Sequence, residues 1–585
     1  MNDPFKIATW SFSLLAGIMV SLYFSSVTYY ILNGLNPDEA LPWSILGFIQ
    51  YQSEPFWTRL AIAFIAPNVL IAAAIGFFLF KPKSTDSRWA TRADIKKAGL
   101  FARQGLLLGD AHGKFLYSDS DTHTFVIAPS RSGKGVGIVI PNLLTWPDSF
   151  ICLDIKKENH EITSGFRGSL DHKVINFSPF STNKTSHCYN PFDYISDDPD
   201  RRITDLQIMA TSFVSLTERG DPHFPEEAQD LFVGLALYIL DNANYPSTIG
   251  SIFRLLGTEE SFYKILRHIA QTQPNLHESA RQLFNSYANK AEKERSGIKS
   301  TLGRALKLWR NPVIDAITSK SDFSFHDLRK TRHAIYLGVG LQDMAALAPL
   351  MRVFFEQAIT VLTSSLPDPK TEPRKVLMLM DEFHILGNMQ IMNNAFTLLA
   401  GYNIRFMGIV QDIGLLDKVY DKQTRDTILS NCAHQVFYST QNQVTQDYIS
   451  HACGEHTVQS KSVSKPRGFS KEKARVTFSE KIVPLIKPHD VHLYDKNKAI
   501  ILVDNSYPIQ AKKLYYYKEK DFKERLLTAA ETPPIVTENH FAPKFDIPMN
   551  KKGENDDGII TKKKRNKAST DKKPPSPDEN YSSYI

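Results

Sequence analysis

The chain has 585 residues, of which 42% are hydrophobic, and its formal net charge is +7. This length suits several domains or one large domain with an insertion, and the mildly basic charge is compatible with nucleic acid or an anionic membrane surface without requiring either. The four cysteines have no paired spacing, which argues against a disulfide or cysteine-metal scaffold and indicates reduced thiols; they are Cys152, Cys188, Cys432 and Cys453.

Two uncharged, largely apolar segments predict transmembrane helices at about residues 9–32 and 60–80, because about 20 apolar residues cross a bilayer. A buried core helix is the alternative for each. The loop between them has three acids before Arg59, whereas six lysines and arginines lie between residues 81 and 97. Since positive residues stay on the cytoplasmic side, we expect a multi-pass protein that contacts membrane lipids and has both termini in the cytoplasm.

The segment Ala128–Gly137 predicts a phosphate-binding loop, because a short apolar run leads into it and another follows, the strand–turn–helix order of such loops. Its backbone N–H groups would bind phosphate, and Lys134 would reach the terminal phosphates. The usual first glycine is Ala128, and Gly135 lacks the hydroxyl that normally binds Mg²⁺, so a plain glycine-rich turn is the alternative. The expected nucleotide contacts are Ala128, Pro129, Ser130, Arg131, Ser132, Gly133, Lys134, Gly135 and Val136.

The run Val376–Phe383 predicts a buried strand that ends in two acids, Asp381 and Glu382. Ligands bind at the carboxyl ends of parallel strands. We expect Asp381 to hold Mg²⁺ and Glu382 to orient and polarise the attacking water. An ordinary charged turn is the alternative for the acids alone, but together with Lys134 they indicate phosphoryl-transfer chemistry.

Other strand ends offer further candidates. Gln411 follows the apolar run Ile404–Val410 and could hydrogen-bond a γ-phosphate or the attacking water. Asp154 and Glu158 follow another apolar run and would support the site or a subunit contact. A solvated strand end is the alternative for each of these three residues. Arg131 and Arg405 are candidates for an arginine finger that acts across subunits.

Motifs spread in order over about residues 87–525 resemble the TraG-type coupling proteins of type IV secretion systems. They are Ser87–Thr91, Ala128–Phe150, Asp154–Asn159, Asn190–Tyr194, Met380–Phe383, Ser430–Cys432, Gly454–Val458, and Pro508–Lys512 followed by Tyr515–Tyr517. The resemblance implies that Gly135 and Ala128 are family variants rather than marks of an inactive site. Lys157 departs from the family, in which many relatives have glycine there.

The resemblance implies an α/β fold: a RecA-like P-loop NTPase domain of the HerA–FtsK superfamily with an inserted all-α domain, preceded by two transmembrane helices and followed by a disordered basic tail. The expected parts are a membrane anchor (1–86), a nucleotide-binding domain in two parts (87–195 and 321–540), the all-α domain (196–320) and the tail (541–585). The tail is polar and lysine-rich, as disordered segments are.

The resemblance further implies an ATPase that uses ATP and Mg²⁺ and forms a homo-hexamer at the bacterial inner membrane. Such a protein recruits relaxase-bound single-stranded DNA, effector proteins or both, and delivers them to the secretion channel and its associated ATPases. The alternative is a receptor for protein effectors in which hydrolysis is secondary. The basic segment Ser460–Arg475 is equally compatible with a pore loop that grips phosphates and with a surface loop.

Overall fold

The computed structural model describes residues 19–44, 61, 65, 86–215, 222–258, 261–389, 391, 396, 398–464 and 475–537. The chain divides into two compact units. The smaller contains Met1–Asp86 and His456–Lys481, and the larger contains Ser87–Glu455 and Ile482–Ile585. The predicted tail, 541–585, lies outside the described residues.

The strands of the described residues are short apolar segments with turns between them. In chain order they are β1 Leu106–Ala111, β2 Lys114–Ser118, β3 Thr124–Ile127, β4 Ser149–Asp154, β5 Lys173–Phe177, β6 His333–Gly338, β7 Val376–Met380, β8 Ile404–Val410, β9 His434–Phe437, β10 Glu455–Ser464, β11 Arg475–Pro484, β12 Lys498–Val503 and β13 Ile509–Lys512.

The helices vary from one turn to more than five. In chain order they are α1 Met19–Leu32, α2 Arg92–Lys97, α3 Gly135–Thr145, α4 Glu158–Ser169, α5 Pro199–Phe213, α6 His223–Asp241, α7 Ile249–Leu256, α8 Phe262–Thr272, α9 Glu278–Asn289, α10 Glu292–Ala305, α11 Pro312–Ile317, α12 Met344–Thr363, α13 Ile413–Val419, α14 Lys422–Ser430, α15 Gln443–Cys453, α16 Pro488–His492 and α17 Lys520–Lys523.

In the smaller unit, α1 covers the described part of the first predicted membrane span. Unlike a helix on the surface of a water-soluble protein, it exposes the apolar side chains of Phe24 and Ile31 and buries the polar side chains of Ser25 and Ser26. The second predicted span lies outside the described residues, apart from residues 61 and 65. Strands β10 and β11 form a two-stranded sheet, and residues 465–474 of the basic segment between them lie outside the described residues.

In the larger unit, one sheet of 11 strands has the order β2-β1-β13-β12-β9-β3-β8-β7-β4-β6-β5. The strands from β9 to β5 are parallel. The strands β12, β13, β1 and β2 extend that sheet in antiparallel fashion. Every residue of β3, β4, β7 and β8 is buried, which explains why these strands are near-continuous apolar runs in the sequence.

Helices α5 to α11 lie between β5 and β6 in the sequence, and the described residues of 196–320 contain no strand. The described part of this segment is therefore helical, and the all-α domain at 196–320 stays a prediction. Among the described residues, Leu341–Thr363 alone meets the length and composition of a membrane span, and 56% of its apolar window is buried inside the fold. We therefore interpret that helix as part of the core.

The C-terminal segment of the described chain runs across α4. The Ala530 N–H donates to Ser164 Oγ at 3.0 Å, and the Arg525 guanidinium donates to the Leu144 carbonyl at 2.8 Å. Gly165 allows this close approach, because a Cβ on it would lie 1.9 Å from the Thr528 carbonyl oxygen. The segment therefore packs where no side chain larger than hydrogen fits on the helix.

We expect Gly165→Ala to destabilise the larger unit by about 1–3 kcal/mol, the usual cost of overpacking. Gly168→Ala is the matched control, because a Cβ there first meets an atom at 4.0 Å, and alanine gains up to about 0.5–1 kcal/mol over glycine in a helix. Thermal unfolding of both variants, followed by circular dichroism, measures the difference. Equal melting temperatures would contradict the close approach of the C-terminal segment.

Candidate active site

The polar ends of four neighbouring strands meet at one edge of the sheet. Strands β3, β8, β7 and β4 are adjacent and parallel, so their carboxyl ends lie together, where open α/β sheets bind ligands. The predicted phosphate loop leaves β3, Gln411 follows β8, the acid pair follows β7, and Asp154 ends β4.

The phosphate loop is anchored at its start and turns sharply before α3. The Ala128 N–H donates to the Val410 carbonyl at 2.9 Å, and the Ala128 side chain is fully buried, so the start of the loop is held to β8. Gly133 has φ 89° and Arg131 has φ 60°, which marks the loop as locally left-handed. Helix α3 then starts with a wide turn, Gly135–Val139, whose N–H groups border the loop.

Lys134 bridges the loop to both acids. Its Nζ lies 2.9 Å from Asp381 Oδ1 and also pairs with Glu382 Oε1. Burial lowers the pKa of Lys134, but the two carboxylates outweigh burial and raise it. The ammonium therefore stays charged at the point where the loop, β7 and the helix converge.

Two further side chains lie beside Glu382, and one of them, Gln411, hydrogen-bonds to it. Gln411 donates from Nε2 to Glu382 Oε1 at 3.1 Å, and His384 Nδ1 lies 3.6 Å from Glu382 Oε2. Burial lowers the pKa of His384. The sequence predicted Gln411 at this site but missed His384, whose position two residues after Glu382 was the available signal.

Asp154 and Glu158 line the same cavity as the acid pair. This cavity has a volume of about 460 Å³. Burial raises the pKa of Asp154 to about 6. Its lining residues are Ser130, Arg131, Gly133, Lys134, Gly135, Val136, Ile140, Asp154, Lys156, Glu158, Asn159, Ile162, Asp381, Glu382 and Tyr516.

A second cavity, of about 860 Å³, borders the other side of the phosphate loop. Pro129 and Ser132 of the loop line it together with Gln411. Aromatic and basic side chains of the C-terminal part of the chain complete its wall; they are His492, Lys496, Lys513, Tyr515 and Tyr517. All the predicted site residues therefore border these two cavities except Ala128, which is buried beneath the loop.

The two candidates for an arginine finger differ in their exposure and in their partners. Arg131 is exposed on the phosphate loop. Arg405 is buried at the opposite end of β8 from Gln411, where its guanidinium pairs with Asp121 and donates to the Ser120 carbonyl at 3.2 Å. A guanidinium engaged inside its own subunit does not reach a neighbouring one, so Arg405 is not an arginine finger in this arrangement.

Lys513 supports the phosphate loop from behind, a role that the sequence did not predict. Its Nζ donates to the Ser132 carbonyl at 3.1 Å and lies 3.6 Å from the centroid of the Tyr438 ring. Burial lowers the pKa of Lys513 to about 8. The sequence alternates Ile509 and Ala511 with Gln510 and Lys512, which places Lys513 on the face of Ile509, but it does not show that this face packs against the phosphate loop.

The mostly parallel sheet, with a glycine-rich loop after β3 and an acid pair after β7 at its carboxyl edge, defines an α/β fold whose ligands bind at that edge. The profile of the family described as "Type IV secretory system Conjugative DNA transfer" matches residues 88–537. This chain belongs to that family of conjugative DNA-transfer proteins.

The chain is similar to proteins named VirD4, TraG and TrwB. VirD4 of Agrobacterium fabrum is 34% identical over 530 residues, which cover 87% of this chain and 77% of VirD4. TraG of Escherichia coli is 28% identical over 604 residues, covering 90% of this chain and 94% of TraG. The structure of the plasmid coupling protein TrwB with the ATP analogue ADPNP has a TM-score of 0.57 at 16% identity, covering 78% of this chain and 98% of TrwB.

Lys513→Met should change how stability depends on pH. The folded-state pKa of Lys513 is lowered to about 8 from 10.5, so between these values the unfolded chain binds more protons, and Lys513 makes stability rise with pH. The methionine variant should lack this rise, which amounts to at most about 1.4 kcal/mol per pH unit. Chemical unfolding from pH 7 to 10 measures it.

Lys512→Met is the matched control, because Lys512 is exposed. It should keep the parent's pH profile. The same pH dependence in the parent and in Lys513→Met would show that Lys513 is not a buried cation.

Proposed function

We propose that this chain is a membrane-anchored coupling ATPase of a type IV secretion system. It recruits relaxase-bound single-stranded DNA, effector proteins or both, and uses ATP hydrolysis to deliver them to the secretion channel. The observation that carries this proposal is the buried contact of Lys134 with both Asp381 and Glu382 beside the phosphate loop. Membership of the conjugative DNA-transfer family supports DNA as cargo.

The donor set fits MgATP. The loop and the first turn of α3 offer backbone N–H groups for phosphate oxygens, and Asp381 offers a carboxylate, the ligand that Mg²⁺ prefers. TrwB, the structural relative, has been solved with ADP and Mg²⁺ and with ADPNP, which supports the same ligands here. Bound Mg²⁺ would neutralise the charge that develops on the phosphates.

Each side chain then has a defined task. Lys134 moves its ammonium from the acid pair to the terminal phosphate, which frees both carboxylates. Asp381 would hold the metal, and Glu382 would accept a proton from the attacking water as the water oxygen bonds to the terminal phosphorus and the bond to the ADP leaving group breaks. Gln411, bonded to Glu382 Oε1, orients that carboxylate and responds to the presence of the terminal phosphate.

The remaining parts of the proposal concern assembly and location. The exposed apolar side chains of α1 support a membrane-embedded helix, since a large exposed apolar surface needs a partner or a lipid environment. We infer an inner-membrane anchor with two spans, cytoplasmic termini, and a homo-hexamer that contacts the channel components. The domain limits 1–86, 87–195, 196–320, 321–540 and 541–585 are part of the same proposal.

Lys134→Ala should abolish ATP hydrolysis and weaken ATP binding at least tenfold, because it removes the one cation of the loop that lies at the acid pair. Hydrolysis by the detergent-solubilised full chain, with and without single-stranded DNA, measures this. Lys375→Ala is the control, since Lys375 precedes β7 at the end of the sheet away from the site; its hydrolysis should match the parent's. Unchanged hydrolysis in Lys134→Ala would refute the site assignment.

Glu382→Gln should bind ATP but hydrolyse it about 10²–10⁴-fold more slowly, the usual contribution of a general base. Glu372→Gln is the control, because Glu372 pairs with Arg329 and precedes β7 rather than following it. Conjugative transfer by a strain that carries Glu382→Gln separates the two proposed roles. Loss of transfer supports the motor, whereas normal transfer favours a substrate receptor in which hydrolysis is secondary.

A further inference from the structure

Gly135 leaves the proposed metal site one ligand short. The residue after the loop lysine usually supplies a hydroxyl to Mg²⁺, and glycine has none. Asp381 is the only metal ligand that the sequence assigned. A small, hard cation such as Mg²⁺ binds oxygen ligands in near-octahedral geometry, so a further oxygen donor from the protein is expected near Asp381.

Asp154 lies at the register position beside Asp381. Strands β4 and β7 are parallel, with Leu153 paired to Met380, so Asp154 at the end of β4 lies beside Asp381, the first residue after β7. Neighbouring strands lie about 4.8 Å apart. Both carboxylates line the 460 Å³ cavity together with Lys134 and Gly135.

The two carboxylate oxygens of Asp154 differ in their hydrogen-bond partners. Asp154 is 1% exposed, and its Oδ2 accepts the N–H of His160 in the first turn of α4 at 2.9 Å. The backbone N–H groups of Lys157 and Asn159 also face this carboxylate, but Oδ1 is buried and makes no hydrogen bond of normal geometry among the described residues. A buried carboxylate oxygen without a partner costs free energy unless a cation or donor meets it.

We propose that Asp154 is the second carboxylate of the Mg²⁺ site and takes the place of the hydroxyl that is missing at position 135. The bond to His160 fixes the orientation of the side chain, and Oδ1 contacts the ion directly or through one bound water. The ligand is a divalent cation bound together with nucleotide phosphates, so this inference depends on the proposed function.

The competing explanation is that Asp154 only caps α4. Asp154→Asn separates the two roles, because the amide oxygen can still accept the His160 N–H while the anionic oxygen is lost. A cap alone predicts unchanged metal affinity. A metal ligand predicts weaker binding of the metal with no change in metal-free nucleotide binding.

The experiment uses Mn²⁺ as the probe and the full chain in detergent. Free Mn²⁺ is measured by electron paramagnetic resonance at a fixed, saturating concentration of ADP, and ADP binding is measured separately with EDTA. In Asp154→Asn the Mn²⁺ dissociation constant should rise about 10–100-fold, as is usual when a residue that holds or orients a metal is lost. ADP binding in EDTA should match the parent's.

Two further variants sharpen the test. Gly135→Ser restores the usual hydroxyl, and a Cβ at this position meets no atom within 4 Å, so the double variant with Asp154→Asn should recover most of the Mn²⁺ affinity. Glu158→Gln removes a negative charge from the same cavity and should weaken Mn²⁺ binding less than threefold.

Unchanged Mn²⁺ affinity in Asp154→Asn, or an equal loss in Glu158→Gln, would overturn the proposal. If Asp154→Asn does not fold, Asp154→Glu decides, because it keeps the charge but moves the oxygens by one methylene; unchanged Mn²⁺ affinity there would also overturn it. Failure of the parent chain to bind ADP would instead refute the proposed function, so the two failures are distinguishable.

Discussion

The parallel register of β3, β8, β7 and β4 is the constraint on which the site depends. Because neighbouring strands run in the same direction, residues that are far apart in the sequence emerge at one edge of the sheet. A shift of one residue in the pairing register of any of these strands would turn its side chains to the opposite face of the sheet. Lys134 then joins β3 to β7, since the cost of burying its charge is offset only where both carboxylates meet it.

Much of this arrangement could be predicted from the sequence, because a strand buried on both faces is a continuous apolar run and polar residues appear only where it ends. The polar residues that follow the apolar runs of β3, β7 and β8 were therefore enough to predict Lys134, the acid pair and Gln411 as site residues. The structure confirms the α/β fold with its mostly parallel sheet. Two transmembrane helices and a disordered tail stay predictions.

The remainder depended on contacts between distant segments, which a local pattern does not contain. Lys513 follows another lysine, and two adjacent lysines usually face solvent. It is buried because β13 pairs with β12 and every second side chain of β13 faces the interior. Arg405 had the residue type of an arginine finger, but its partner, Asp121, lies on a separate loop. The passage of the C-terminal segment over α4 was likewise invisible, since nothing near Gly165 indicates what packs against it.

The backbone at Glu382 has a consequence for how the protein tolerates change. Glu382 has φ 58° and ψ 48°, a left-handed conformation that costs a residue with a Cβ about 1–2 kcal/mol. Glycine would relieve that cost, but it would also remove one of the two carboxylates that offset the burial of the Lys134 ammonium, and removing one partner of a buried ion pair costs about 3–5 kcal/mol. Glu382 therefore stabilises the fold as well as lining the cavity, so directed evolution for heat resistance alone would retain this carboxylate in spite of its strained backbone.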